Sequence, residues 1–151
     1  MSFRLTTLIL TAAALCISPP LTAAEADLTK WTVPLAGNAY VTKGEEGRRG
    51  GRWDQADMVR SVYFRVDRAG ELTLSLTARV PEGTSKIRAS VAGESFTVDL
   101  TGEGTTLLGK VRVKEAGYVR VDLQGVEKTG PVYAEASDLV VASDEKDLTL
   151  A

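Results

Sequence analysis

The sequence contains no histidine and a single cysteine, Cys16. Without an imidazole, neither a Ser-His-Asp nor a Cys-His catalytic site can be assembled. His-ligated zinc and copper sites are excluded for the same reason, and one thiol cannot replace the missing ligands. Asparagine occurs once, at Asn38, and aromatic residues make up only 6% of the chain. No apolar run reaches the ~20 residues that a membrane-spanning helix requires. Neither sign of charge dominates, with 18 Lys and Arg against 20 Asp and Glu. These charges alternate along the chain, so no basic footprint for nucleic acid exists.

What is present begins with a leader. Arg4 supplies a positive start, and Leu5 to Ile17 is an uncharged apolar run. Pro19-Pro20 breaks any helix after it, and small residues offer cleavage sites after Ala24 or Ala26. This is the three-part pattern of a secretory signal, expected over residues 1–26. Leu15, ahead of Cys16, does not fit a lipoprotein signal, so Cys16 is expected to leave with the leader. No membrane anchor then remains, and the protein is expected to be periplasmic or secreted. The remainder suits one domain, placed at 27–142 and followed by a flexible tail at 143–151. That domain has no cysteine and must stand on its hydrophobic core.

Alternation with a period of two dominates this domain. Val62, Phe64 and Val66 share one phase. So do Leu72, Leu74, Leu76, Ala78 and Val80; Ile87, Ala89 and Val91; Phe96, Val98 and Leu100; and Val119, Val121 and Leu123. Turn-forming groups separate these runs, among them Pro81-Glu82-Gly83, Ala92-Gly93 and Thr101 to Gly104. About eight short strands with half-polar faces predict an all-β antiparallel sandwich of the jelly-roll or galactose-binding type. An eight-stranded barrel fits the same pattern.

Few motifs carry chemistry. Gly104 to Lys110 has phosphate-loop spacing, but Val111 stands where a hydroxyl is needed and the segment leads into a strand. Arg48, Arg49 and Arg52 form a basic cluster offset by Glu45, Glu46, Asp54 and Asp57. Trp53 sits in this glycine-rich loop, Lys43 to Asp57, outside any alternating run. An indole there either plugs the sandwich end or offers a flat face for a sugar ring. Trp31 is expected to close an edge of the core. Asn38 and Tyr40 follow the first strand, where an amide could grip a hydroxyl or serve a turn. Two outward stripes, Tyr63 with Arg65 and Tyr118 with Arg120, Asp122 and Gln124, would form one amphipathic surface if their strands are neighbours. Asp99, Asp122 and Glu135 are the outward acids from which a hydrolytic pair could be drawn. A structural calcium is left open, with Asp54 and Asp57 or Asp138 as oxygen ligands.

Several of these stretches together resemble a known family. They are Pro34 to Tyr40, Trp53, Tyr63-Phe64-Arg65-Val66, Ser85 to Arg88, and above all Gly117-Tyr118-Val119-Arg120-Val121-Asp122-Leu123-Gln124-Gly125. The resemblance, over roughly Trp31 to Val141, is to an uncharacterised domain family of secreted bacterial proteins. Its members often precede a second uncharacterised domain and look like carbohydrate-binding modules. It implies a sandwich fold and glycan binding.

The expected function is that of an exported, non-catalytic module for a carbohydrate or glycoconjugate, with no cofactor. Its expected ligand-binding residues are Trp53, Asn38, Tyr40, Tyr63, Arg65, Tyr118, Asp122 and Gln124. One alternative is an envelope domain docking a protein partner through the two tyrosine stripes. The other is a small hydrolase using paired acids.

Overall fold

The computed structural model describes residues 28–44 and 52–151. The leader, and Arg48 and Arg49 of the basic cluster, lie outside the described residues. The described chain is antiparallel β-structure, as the alternation predicts. Its elements are β1 (Thr29–Pro34), the helical turn α1 (Leu35–Asn38), β2 (Ala39–Lys43), β3 (Val59–Val66), β4 (Gly70–Val91), β5 (Glu94–Val113), β6 (Gly117–Lys128) and β7 (Glu135–Ser143).

The strands form one curled sheet in the order β1-β7-β4-β6-β3-β2, with β5 paired to β4. The curl comes from β4, which is 22 residues long. Its first half, Thr73 to Arg79, pairs with β7, and its second half, Ser85 to Ser90, pairs with β6. The β4–β5 ribbon therefore runs through both layers, and the layers close on one core. Leu72, Leu74, Leu76, Leu139 and Val141 from one layer are fully buried against Val62, Ile87, Val121 and Leu123 from the other. Full burial of such side chains stabilises the fold by roughly 1.5–3 kcal/mol each.

Among the described residues seven strands replace the eight expected: two turn signals do not reverse the chain, which merges two pairs of expected strands, and β2 is an additional strand. Pro81-Glu82-Gly83 lies inside β4, where the register with β5 slips between Arg79 and Thr84. Before the slip the buried residues are even-numbered; after it they are odd-numbered, from Ser85 to Val91. An irregularity of this kind changes which side chains face inward and bends the strand. Gly83, at φ +75°, absorbs the bend. Thr101 to Gly104 is the matching stretch of β5. Ala92 and Gly93, both at positive φ, make the true hairpin turn between β4 and β5.

The C-terminal segment, expected to be a frayed tail, packs instead. Leu148 is buried, and Gly70 leaves room for it and for Glu145. Ala151 exchanges backbone hydrogen bonds with Arg65, and the Asp67 amide donates to the Thr149 carbonyl. The Thr149 amide in turn donates to Asp67 Oδ1 at 2.8 Å. That bond holds the Asp67 carboxyl below the usual carboxylate range, with help from Arg68. A lowered folded pKa means the tether is complete above the ordinary carboxylate pKa, about 3.9, and is lost as pH falls through the folded value. The Thr149 amide resonance is therefore expected to move with a midpoint below that ordinary value. Asp67→Asn should remove the transition; a midpoint at the ordinary value would show that the tether does not form.

Candidate functional site

Two neighbouring surfaces bring together most of the chemically useful side chains. The first is a cleft of about 670 Å³ at one end of the sandwich. Its walls come from α1, β2, the approach to β3, and the segment Pro131 to Ser137. Most of the lining is apolar, with Tyr40, Arg52, Arg60, Glu135 and Ser137 as the polar exceptions. Volume and composition both suit a small-ligand site.

Trp53 corrects the sequence reading. It lines the cleft, yet only 1% of it is exposed. The Tyr133 ring packs on it at 5.9 Å, tilted by 47°, and the Arg60 guanidinium lies over it at 5.7 Å. Its Nε1–H has no acceptor among the described residues. Trp53 is thus the plug of the sandwich end and offers no open face to a sugar. Asn38 takes the turn role that the sequence also offered. Its Nδ2 donates to the Pro34 carbonyl at 2.9 Å, which closes α1, so its amide nitrogen serves the turn.

The loop that carries Trp53 is tied down from the opposite side. The Tyr133 amide donates to the Trp53 carbonyl at 2.8 Å. Ser85 Oγ donates to the Tyr133 carbonyl at 2.5 Å. The Tyr133 ring also covers Gly125, where a Cβ would strike it, and Lys128 Nζ lies 5.5 Å from its centroid.

Arg60 is the cleft residue that sequence reasoning missed. It takes an inward position, in phase with Met58 and Val62, and is 8% exposed. A cation in an apolar phase was the signal. At the sandwich end it can carry its charge toward the cleft while its stem packs on the core.

The second surface is the outer face of β2, β3 and β6. These strands are neighbours, the condition under which the two stripes form one face. Tyr63 stands opposite Arg120, Arg65 opposite Tyr118, and Ser61 opposite Asp122. Arg120 Nε donates to Asp122 Oδ1 at 2.7 Å, and Nη2 donates to Thr42 Oγ1 at 3.3 Å. Ser61 Oγ donates to the same Asp122 oxygen at 2.5 Å. The hydrogen bond that Arg120 itself donates to Asp122 raises the Arg120 pKa. The Arg120 guanidinium lies 6.0 Å from the Tyr63 centroid, and the Tyr40 and Tyr63 rings meet edge-on at 6.3 Å. Gln124 Nε2 donates to the Ala56 carbonyl at 3.0 Å. Arg65 is exposed, and Tyr118 is 80% exposed.

The acids considered for hydrolysis are dispersed. Asp99 pairs with Lys86, Asp122 with Arg120, and Glu135 with Arg79. Asp99 does share a hollow with Glu127, but it measures only about 160 Å³ and Lys86 and Lys128 line it too. Among the described residues no group of three or more acids, histidines or cysteines could hold a metal. Asp54 pairs with Arg52 at 3.5 Å, and Asp138 accepts from Ser137. No described helix is long and apolar enough to cross a membrane.

A family of domains of unknown function, DUF5077, matches residues 33–146. The chain belongs to the DUF5077 family. The match spans β2 to β7 and includes both surfaces of this DUF5077 domain. No curated protein sequence matches it. Among solved structures, it is similar to the CBM35 carbohydrate-binding module of Cellvibrio japonicus Abf62, with a TM-score of 0.57 at 15% identity, over 82% of this chain and 96% of that one. It is also similar to the GH26-CBM35 β-(1,4)-mannanase of Podospora anserina, with a TM-score of 0.55 at 12% identity. There the similarity covers 74% of this chain and 27% of the mannanase. At these identities the likeness establishes that the DUF5077 domain shares the fold.

Proposed function

We propose that this DUF5077 domain is an exported, non-catalytic module that binds a carbohydrate or glycoconjugate, and that the end cleft is where the sugar sits. The leader pattern supports export. The observation that carries the reading is the cleft itself: apolar walls with Tyr40, Arg60, Glu135 and Ser137 converging on a space of about 670 Å³. Apolar surface suits the C–H faces of a sugar, and a few fixed polar groups orient its hydroxyls. The fold shared with a carbohydrate-binding module agrees with this reading. The separation of Asp99, Asp122 and Glu135 favours binding over hydrolysis.

Ala36 lines the cleft from α1 and is exposed, so a large side chain there fills the cleft and spares the core. Glycan-array binding of the wild type should be lost, by about tenfold or more in affinity, in Ala36→Trp. The melting temperature should stay unchanged. A wild type that binds no glycan, or an Ala36→Trp variant that binds as the wild type does, would end this reading of the cleft.

A further inference from the structure

Tyr40, Tyr63 and Tyr118 lie on one straight diagonal across the outer face. Tyr40 pairs with Ser61, two residues along β3 from Tyr63. Tyr118 pairs with Arg65, two residues along β3 in the other direction. The tyrosines therefore occupy successive strands, β2, β3 and β6, each displaced by two residues. Strands about 4.8 Å apart, rising about 3.4 Å per residue, set each step at about 8 Å and the whole row at about 17 Å. Diagonal neighbours on one sheet face are within reach of each other's aromatic side chains. The Tyr40–Tyr63 ring contact at 6.3 Å agrees with this.

The row is continuous with the cleft, because Tyr40 belongs to both. At its far end Tyr118 is 80% exposed, and only two other large hydrophobic residues are exposed among those described, Leu107 and Val126. Beside the Tyr63 ring, Arg120 is fixed in place by Asp122 and Thr42. Fixed donors beside aromatic faces lower the ordering cost of a bound chain. Nothing in the core requires an aromatic at position 118, whose side chain points away from Val119 and Val121.

We infer that the tyrosine row extends the cleft into a path for a polysaccharide chain. The ligand is then an extended oligosaccharide, with one end in the cleft and its following sugars stacked over Tyr63 and Tyr118. This rests on the reading of the cleft as the sugar site and adds the size class of the ligand. Arg65 and Arg120 meet the hydroxyls of the sugars on the face.

Titration calorimetry with cello-, manno- and xylo-oligosaccharide ladders, from disaccharide to hexasaccharide, tests it. Affinity for the ladder that binds should rise by about tenfold between short and long members. Tyr118→Ala, at an exposed position, should remove that rise and leave the short members bound as before. Equal affinity at every length would overturn the extension while the cleft reading stands. So would a Tyr118→Ala variant that weakens all members equally, or one that keeps the full rise. Binding that survives Ala36→Trp overturns the cleft reading and the extension with it. Failure of every ladder to bind the wild type overturns the extension, and a negative glycan array overturns the cleft reading with it.

Discussion

Trp53→Ala is expected to destabilise the domain by about 3–5 kcal/mol, the range for deleting a large buried aromatic. For a domain of this size that corresponds to a fall of roughly 10–20 °C in melting temperature. The ring is enclosed by Tyr133 and the Arg60 guanidinium, and little of its surface reaches solvent. Its loss leaves a void at the sandwich end that the Tyr133 contact cannot close alone. The chain has two tryptophans, so Trp31→Phe isolates Trp53 as the only indole. Its emission should then be blue-shifted and resistant to acrylamide in the native state. A variant with unchanged melting temperature and lost glycan binding would show instead that the ring works at the surface.

Gly125→Ala is expected to cost about 1–3 kcal/mol, the usual penalty of overpacking. A methyl group there meets the Tyr133 ring, which is pressed between Gly125, Trp53 and Lys128. The ring cannot move freely, because the Tyr133 backbone is tied to Trp53 on one side and Ser85 on the other. Urea unfolding of Gly125→Ala, Tyr133→Leu and the double variant measures this directly. The leucine should recover part of the alanine penalty, as residues in contact do in a double-mutant cycle. Strict additivity would show that the glycine is required for a reason other than the ring.

The inward residues of β3, β4 and β6 were legible because burial on one face imposes a period of two. Val62, Phe64, Val66, Leu72, Leu74, Leu76, Ile87, Ala89, Val119, Val121 and Leu123 are all buried as the alternation requires. Phe96 and Val98 are only half-buried, since β5 is bonded to β4 alone. The class of fold followed from the same pattern. The long strand β4 did not, because a proline and a glycine bend a strand with the same chemistry that reverses a chain. The meeting of Tyr63, Arg65, Tyr118 and Asp122 was legible as two stripes, and only strand order could join them. Trp53 was misplaced because its loop position does not reveal where the ring points. Tyr133 was hidden by the irregular approach to β7, which also concealed that Glu135, read only as an outward acid, lines the cleft; Arg60 was hidden by a search for apolar residues at inward positions.

The path of β4 also governs how the domain forms. Its hairpin with β5 is local and can assemble early. Its other edge waits for two strands that are distant in sequence, as the pairs Ser90 with Asp122 and Thr73 with Ala142 show. Closing such loops before any reward is gained makes refolding slow, in the millisecond-to-second range for β-topologies of this kind. Until β6 and β7 both arrive, a long line of unpaired amides and carbonyls is open to a second chain. Refolding yield should therefore be governed by protein concentration, and the vulnerable species is a ribbon with one bare edge.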